Sequence, residues 1–491
     1  MNKKVYLFAA VAALFAACSN NDGAESAEKA QAQAQAQQIA VGFDAYLGRA
    51  TTRAVTDKTA LENSGFGVFA YYTDNDDYDG QQIPNFMWNQ KVSTASWTYE
   101  PVKYWPNEYG ENAIAEETDR ISFFAYGPYA DALTASGKVN GATKGIIGFT
   151  RNNYAGDPLV KYVVDVNPAT SLDLVWGRTP KTSGFDDYEG NTYSNEGLPW
   201  LNVKRPKYNT NEKVKFQFDH ALASLNVTVD HFADNASYAA DKNVDGNTRI
   251  WIRSITFTGF TTQGALNLNN TATHDVTISS TSTKIGTANW LGINGEDLVT
   301  GEEVTIYDGR KDGKEGTASA SNEKYTGLNP NLVQSGAYAT AAAGGGTDDA
   351  GQSYAEGDLI MGDGKKPGVI SVAQNLFDPT GVSGYTAQTA IKADEPIYVI
   401  PTGDVVTVTI AYDVETADNK LATKLSDNAT NGSSISNVIT KKIQVSSTDL
   451  VLENGKKYTI KLHLGMNSVK FDADVTAWDD GSTANADLPE N

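Results

Sequence analysis

The sequence predicts an all-β protein, and three observations carry that prediction. Short runs of aromatic and β-branched residues recur along the 491 residues. Turn formers are plentiful, with 44 glycines beside 24 tyrosines and 8 tryptophans, and long amphipathic helical patterns are scarce. Strands separated by turn signals, with no helical repeat between them, favour a sandwich over a βαβ arrangement. The length accommodates two or three domains with a large core. A net charge of −21 argues against nucleic acid or an anionic membrane face as partner.

Met1 to Ala17 places Lys3 and Lys4 ahead of an apolar run, Val5 to Ala17, too short for a permanent membrane span; it reads as a signal peptide (1–17). Phe15-Ala16-Ala17-Cys18 puts small residues before the chain's single cysteine, as in a bacterial lipobox. A lone thiol in an oxidising compartment has no internal partner, so Cys18 is expected to be lipidated, the alternative being a plain cleaved signal with an incidental cysteine. A diacylglyceryl or palmitoyl anchor of two or three chains would hold the protein stably at a membrane. Residues 18–38 lack aromatic and β-branched side chains and read as a solvated tether.

Within 39–53, Val41, Phe43, Ala45 and Leu47 alternate as in a strand with one buried face. Gly48-Arg49-Ala50-Thr51-Thr52-Arg53 follows, and two arginines in a small-residue linker suit a trypsin-like protease, which needs extended, accessible chain. The alternative is two solvated loop arginines.

Phe66 to Tyr72 is a dense strand run, followed by an Asp- and Asn-rich turn. Phe86 to Asn89, Trp97 to Tyr99, Val102 to Pro106, Ile121 to Tyr126, Val160 to Val166 and Leu172 to Trp176 continue the strand series. The polar stretch Pro199 to Glu212 marks a domain boundary, dividing 54–212 from 213–491. Beyond it, Val214, Phe216 and Phe218 alternate, His220 to Leu225 follows, and Ile250 to Phe260 is expected to pair with this region across a loop ending at Asp245-Gly246. Residues 309–357, rich in Gly, Ala, Ser, Thr and Asp, read as a long loop insertion. Strands are then expected at Leu359 to Met361, Ile397 to Ile400, Val405 to Tyr412, Ile439 to Val445, Tyr458 to Leu464 and Val469 to Trp478. In the last, Val469, Phe471, Ala473, Val475 and Ala477 alternate with polar residues.

No catalytic or metal-binding constellation stands out, and no cofactor is expected. Asp241 to Gly246 begins like a calcium loop, but Ile252 occupies the twelfth position instead of a bidentate Glu, so a hairpin loop is favoured. Asn75, Asp77, Asp79 and Gly80 repeat that spacing with Phe86 at position twelve. The four histidines, His220, His231, His274 and His463, lack ligand-spaced partners, and His220 reads as a packing residue. No carboxylate pair is singled out for glycoside hydrolysis.

Taken together, lipobox Cys18, the strand before Arg49 and Arg53, Tyr104-Trp105-Pro106 followed by Ile121 to Tyr126, Phe218 to Leu225, and the ending from Gly455-Lys456-Lys457-Tyr458 to Trp478 resemble the Mfa-like fimbrillins, subunits of type V pili. The resemblance implies two tandem transthyretin-like Greek-key β-sandwich domains and a lipoprotein precursor carried to the cell outer membrane. It also implies cleavage by an arginine-specific, trypsin-like protease after Arg49 or Arg53, then polymerisation into an extracellular fimbrium for adhesion. Losing Val41 to Leu47 would open an apolar slot with unpaired backbone groups, for a strand of the next pilin subunit to fill. By resemblance the donor lies near the C-terminus, with Val469, Phe471, Ala473, Val475 and Ala477 as candidates; the alternative is that this is the last strand of its own domain. The expected function is thus a non-enzymatic pilus subunit or adhesin, the alternative being a monomeric surface lipoprotein that binds glycans or host ligands.

Overall fold

A computed structural model describes residues 39–47, 58–93, 96–106, 119–133, 136–168, 170–206, 211–231, 248–271, 287–308, 338–340, 346–347, 353–354, 359–361, 374–375, 396–423, 425, 431–445, 447–464 and 469–477. Cys18, Arg49, Arg53, the Asp241 to Gly246 loop, His274 and most of 309–357 lie outside the described residues.

The protein is all-β. Its first sheet has seven strands: β1 (Phe43–Tyr46), β2 (Phe66–Asp74), β3 (Met87–Val92), β4 (Arg120–Gly127), and three further on, of which two lie in the main path. After the short β5 (Ala132–Leu133) and β6 (Lys138–Val139) come β7 (Gly145–Phe149), β8 (Leu159–Val163), β9 (Val175–Arg178), β10 (Trp200–Val203) and β11 (Val214–His220). The sheet runs β1-β11-β9-β4-β2-β3, with β10 also on β4. One helix, α1 (Lys58–Ser64), precedes β2.

The near-continuous apolar runs of β2 and β4 have a direct cause: this sheet is covered on both faces. Phe66, Val68, Ala70, Ile121, Phe123 and Ala125 join one buried cluster, while Phe69, Tyr71, Phe124 and Tyr126 alternate with them into another. A strand buried on both sides has no solvent face to give to polar residues.

The remaining strands are β12 (Ala223–His231), β13 (Thr248–Phe257), β14 (Phe260–Thr261), β15 (Gln263–Asn267), β16 (Asn289–Leu291), β17 (Val304–Asp308), the short β18 (Tyr338–Thr340), β19 (Gly346–Thr347), β20 (Ser353–Tyr354), β21 (Leu359–Met361) and β22 (Gln374–Asn375), then β23 (Ile397–Pro401), β24 (Thr407–Ala417), β25 (Gly432–Lys442), β26 (Gln444–Val445), β27 (Thr448–Asp449), β28 (Lys456–Leu464) and β29 (Val469–Ala477). Larger sheets run β16-β15-β8-β7-β6-β5, β14-β23-β12-β28-β29 and β17-β13-β24-β25. Their inner faces share the cluster that also takes Phe69 and Tyr71.

Several expectations are corrected. β11 does not open a second half at residue 213: it pairs antiparallel with β9 and parallel with β1, completing the first sheet. The crossing comes after His220, where Ala221 and Leu222 are fully buried on the way to β12. Its backbone is satisfied there: Ala221 N–H donates to Leu174 C=O (2.8 Å), Trp290 Nε1–H donates to Ala221 C=O (2.7 Å), and Gly455 N–H donates to Leu222 C=O (2.9 Å). Buried chain of this kind needs each polar group paired, which polarity alone does not reveal. Likewise β10 lies within the polar boundary stretch, its ends anchored by Trp200 and Val203 in the core. β13 pairs with β17 and β24, not with β11 or β12, because β12 is flanked by β23 and β28. Trp97 to Tyr99 and Val102 to Pro106 form a turn and isolated bridges, not strands.

The first strand and its slot as candidate functional site

Val41, Phe43, Ala45 and Leu47 are all buried, while Gly42, Asp44 and Tyr46 between them are half-buried. The alternation read from the sequence is therefore realised, with the apolar face turned into the cluster beneath β2, β4 and β11. Phe43 sits at its centre. Its ring meets Tyr99 at 5.4 Å, Phe123 at 5.9 Å, Phe216 at 6.1 Å and Phe66 at 6.4 Å between centroids, mostly edge to face.

Two elements hold the strand's backbone. On one side β1 runs parallel to β11, Phe43 opposite Val214 and Tyr46 opposite Gln217, and Val214 N–H donates to Gly42 C=O at 2.9 Å. On the other, the 99–105 segment clamps only the beginning. Val41 N–H donates to Lys103 C=O (2.9 Å), Trp105 N–H donates to Ile39 C=O (2.9 Å), and the Tyr99 hydroxyl donates to Val41 C=O (2.8 Å). Burial pushes the Tyr99 phenol up to about 12. Beyond Gly42, no strand among the described residues covers the second edge of β1. The segment is thus seated by side chains along its whole length but laddered on one side only over Phe43 to Tyr46.

Each large apolar side chain seated in this slot contributes about 1.5–3 kcal/mol of burial. Vacating it would expose the rings of Phe66, Tyr99, Phe123 and Phe216 and the free edge of β11, a surface that water satisfies poorly. Arg49 and Arg53 lie two and six residues beyond Leu47 in sequence.

At the opposite end of the chain, β29 pairs antiparallel with β28 over its full length, from Lys456 opposite Ala477 to Leu464 opposite Val469. It is the last strand of its sheet. Ala473 is buried and Val475 is 41% exposed, so the apolar face leaves the core toward its end. Val469, Phe471 and Ala477 belong to the strand, with side chains outside the described set. The other sequence candidates do not converge: Asp77 pairs with Arg120, Asp79 accepts from Gln81 N–H at 2.8 Å, and His220 Nδ1 lies 2.9 Å from Asp173 Oδ2 in the core. Among the described residues, no group of three His, Cys, Asp or Glu could hold a metal.

Sequence reading missed the 99–105 clamp and the parallel partner β11. The strand-like composition of Trp97 to Tyr99 concealed a turn, with Trp97 at φ 50°. The signal for β11 as partner was its matching alternation, Val214, Phe216 and Phe218, with nothing local to say which sheet it joins.

No protein-family model matches the chain. Over 223 residues it is 26% identical to the fimbrium subunit Fim1C of Phocaeicola vulgatus, a match covering 44% of this chain and 48% of that one. The chain thus aligns with about half the length of this curated relative. Among solved structures, a fimbrial protein from Bacteroides vulgatus superposes with a TM-score of 0.44 and 19% identity, over 89% of this chain and 99% of that one. A fimbrilin from Porphyromonas gingivalis gives 0.29 and 9%, over 90% and 97%.

Proposed function

We propose that this chain, a fimbrillin of the Mfa-like family, is a structural or adhesive subunit of a cell-surface fimbria. On this reading it is exported as a lipoprotein through Cys18 and tethered to the outer membrane by residues 18–38. It is then cut after Arg49 or Arg53 by an arginine-specific protease and joined to neighbouring subunits by strand addition. The observation that carries the reading is the seating of Val41 to Leu47: an apolar segment at a sheet edge, laddered on one side, immediately ahead of two arginines. Cutting severs it from the fold's covalent continuity, so it can leave, and the slot then favours any strand with the same alternation. The donor proposed is 469–477, which would have to leave β28 to serve. The two-sandwich organisation is retained with its crossing moved to Ala221-Leu222.

A second reading has one observation in its favour: both β1 and β29 are seated within their own chain. That suits a monomeric surface lipoprotein. N-terminal sequencing and intact mass of protein recovered from the cell surface separate the two. A start at Ala50 or Ala54, with ladders on unboiled gels, is expected. A lipidated Cys18 start with monomer alone would overturn strand exchange.

A further inference from the structure

A cleft of about 860 Å³ opens on the sheet that contains β6, β7 and β8, closed on one side by the turn at 293–295. Its floor follows from register. Lys138 on β6 and Lys161 on β8 both stand opposite Gly148 on β7, so two lysines flank a position with no side chain. With strands about 4.8 Å apart, the two Cα atoms lie roughly 10 Å from each other. Both lysines line the cleft, and the place a side chain would take at Gly148 is filled by the Gly137 carbonyl oxygen, 2.7 Å from where a Cβ would sit.

A third cation lies on the rim. The Arg151 guanidinium is 5.6 Å above the Tyr154 ring centroid, and Tyr154 is 58% exposed. Lys161 Nζ donates to Asn294 Oδ1 at 3.2 Å. Among the described residues, Lys138, Arg151 and Lys161 form no ion pair. Of the two carboxylates nearby, Asp157 is engaged by the Tyr78 hydroxyl (2.9 Å), Asn269 Nδ2 (3.0 Å) and Asn267 Nδ2 (3.3 Å), and Glu296 accepts from Asn294 N–H (3.0 Å) while attracting Lys161 without an ion-pair contact. Burial lowers the Lys161 pKa, and repulsion from Arg151 and Lys138 adds to this against the pull of Glu296. On a chain of net charge −21, three cations at one cleft outnumber the two carboxylates beside them, a local inversion of sign.

We propose that this cleft binds an acidic saccharide, its carboxylate paired with the Lys138 and Lys161 ammonium groups and a sugar ring lying against Tyr154. The volume is that of a small organic ligand, far beyond a free phosphate. The Tyr154 ring and the Asn294 amide, both lining the cleft, offer apolar and hydrogen-bonding groups that match the faces of a pyranose. An acidic peptide fits less well: β6, β7 and β8 are each paired on both edges, leaving no ladder for peptide backbone. The site is remote from the first-strand slot in composition, sharing no residue with it, so it stands whether or not the chain polymerises.

Calorimetric titration of the full chain with 3′-sialyllactose and a glucuronate-terminated disaccharide tests it, with lactose, inorganic phosphate and a glutamate-rich peptide as comparators. At least one acidic sugar is expected to bind at millimolar concentration, lactose is not, and Lys161→Gln and Lys138→Gln should each weaken binding several-fold with unchanged circular dichroism. Saturation-transfer NMR on the unaltered chain should give the strongest transfer to the acidic sugar and lose it on Tyr154→Ala. No binding of either acidic sugar, equal binding of lactose, indifference to both lysine substitutions, or tighter binding of phosphate or peptide would overturn the assignment.

Discussion

Phe43 stacks on Phe216, centroids 6.1 Å apart and planes 20° apart, joining the segment ahead of the arginine pair to the strand that closes the first sheet. Both rings are almost wholly buried, and β1 and β11 run parallel beside each other. Removing the Phe43 ring leaves a void walled by four other aromatic residues. Phe43→Ala should therefore lower stability by about 3–5 kcal/mol in urea denaturation. The same variant should release the 39–49 segment faster after limited trypsin digestion. A loss under about 1 kcal/mol would show that the ring is not seated as described.

Gly177 controls the same floor from the other side. It pairs with Phe218 and Ala125, and a methyl group there would come 2.8 Å from Phe216 Cδ1 and 3.0 Å from Ala125 Cβ. Gly177→Ala should cost about 1–3 kcal/mol through overpacking. Because Phe216 has to move, seating of Phe43 should weaken with it, read as faster loss of the first strand after trypsin. Stability equal to that of the parent chain would contradict the packing.

Alkaline pH should loosen the clamp. The Tyr99 phenol is pushed up to about 12 by burial, so between the ordinary phenol value of about 10 and that point the folded chain holds a proton that the unfolded chain has lost. Its contribution is fully present below about 10 and falls as pH rises through this window. Ionisation also removes the donor to Val41 C=O. Unfolding midpoints measured from pH 9 to 12 should fall more steeply for the parent chain than for Tyr99→Phe. Identical slopes would exclude Tyr99 as the source.

The His220 and Asp173 side chains are 1% and 0% exposed, beside the crossing into β12. Asp173→Ala removes a hydrogen-bond partner of a buried imidazole and should cost about 3–5 kcal/mol, read as a lowered thermal midpoint. Asp173→Asn, which keeps a hydrogen-bonding oxygen, should cost markedly less. Equal losses for the two would place the effect in side-chain volume instead.

Legibility varied with whether a signal was local. The alternation Val41, Phe43, Ala45, Leu47 described the buried face of the first strand, and the runs at Phe66 and Ile121 marked strands, because period-two patterning records burial directly. Trp97 to Tyr99 misled because aromatic residues suit turns that plug a core as well as strands. The polar 199–212 stretch is a related case: Trp200 and Val203 bury a strand inside it, which polarity alone does not reveal.

The sequence alone determined the all-β class, most strand positions and the one-sided burial of the first strand, since these depend on composition and on neighbours along the chain. Pairing was decided only by tertiary structure. That β1 lies parallel to β11, that β13 joins β24, and that Lys138 and Lys161 flank Gly148 all depend on contacts between distant segments, and strands of like alternation are interchangeable until packing and backbone hydrogen bonds select one partner.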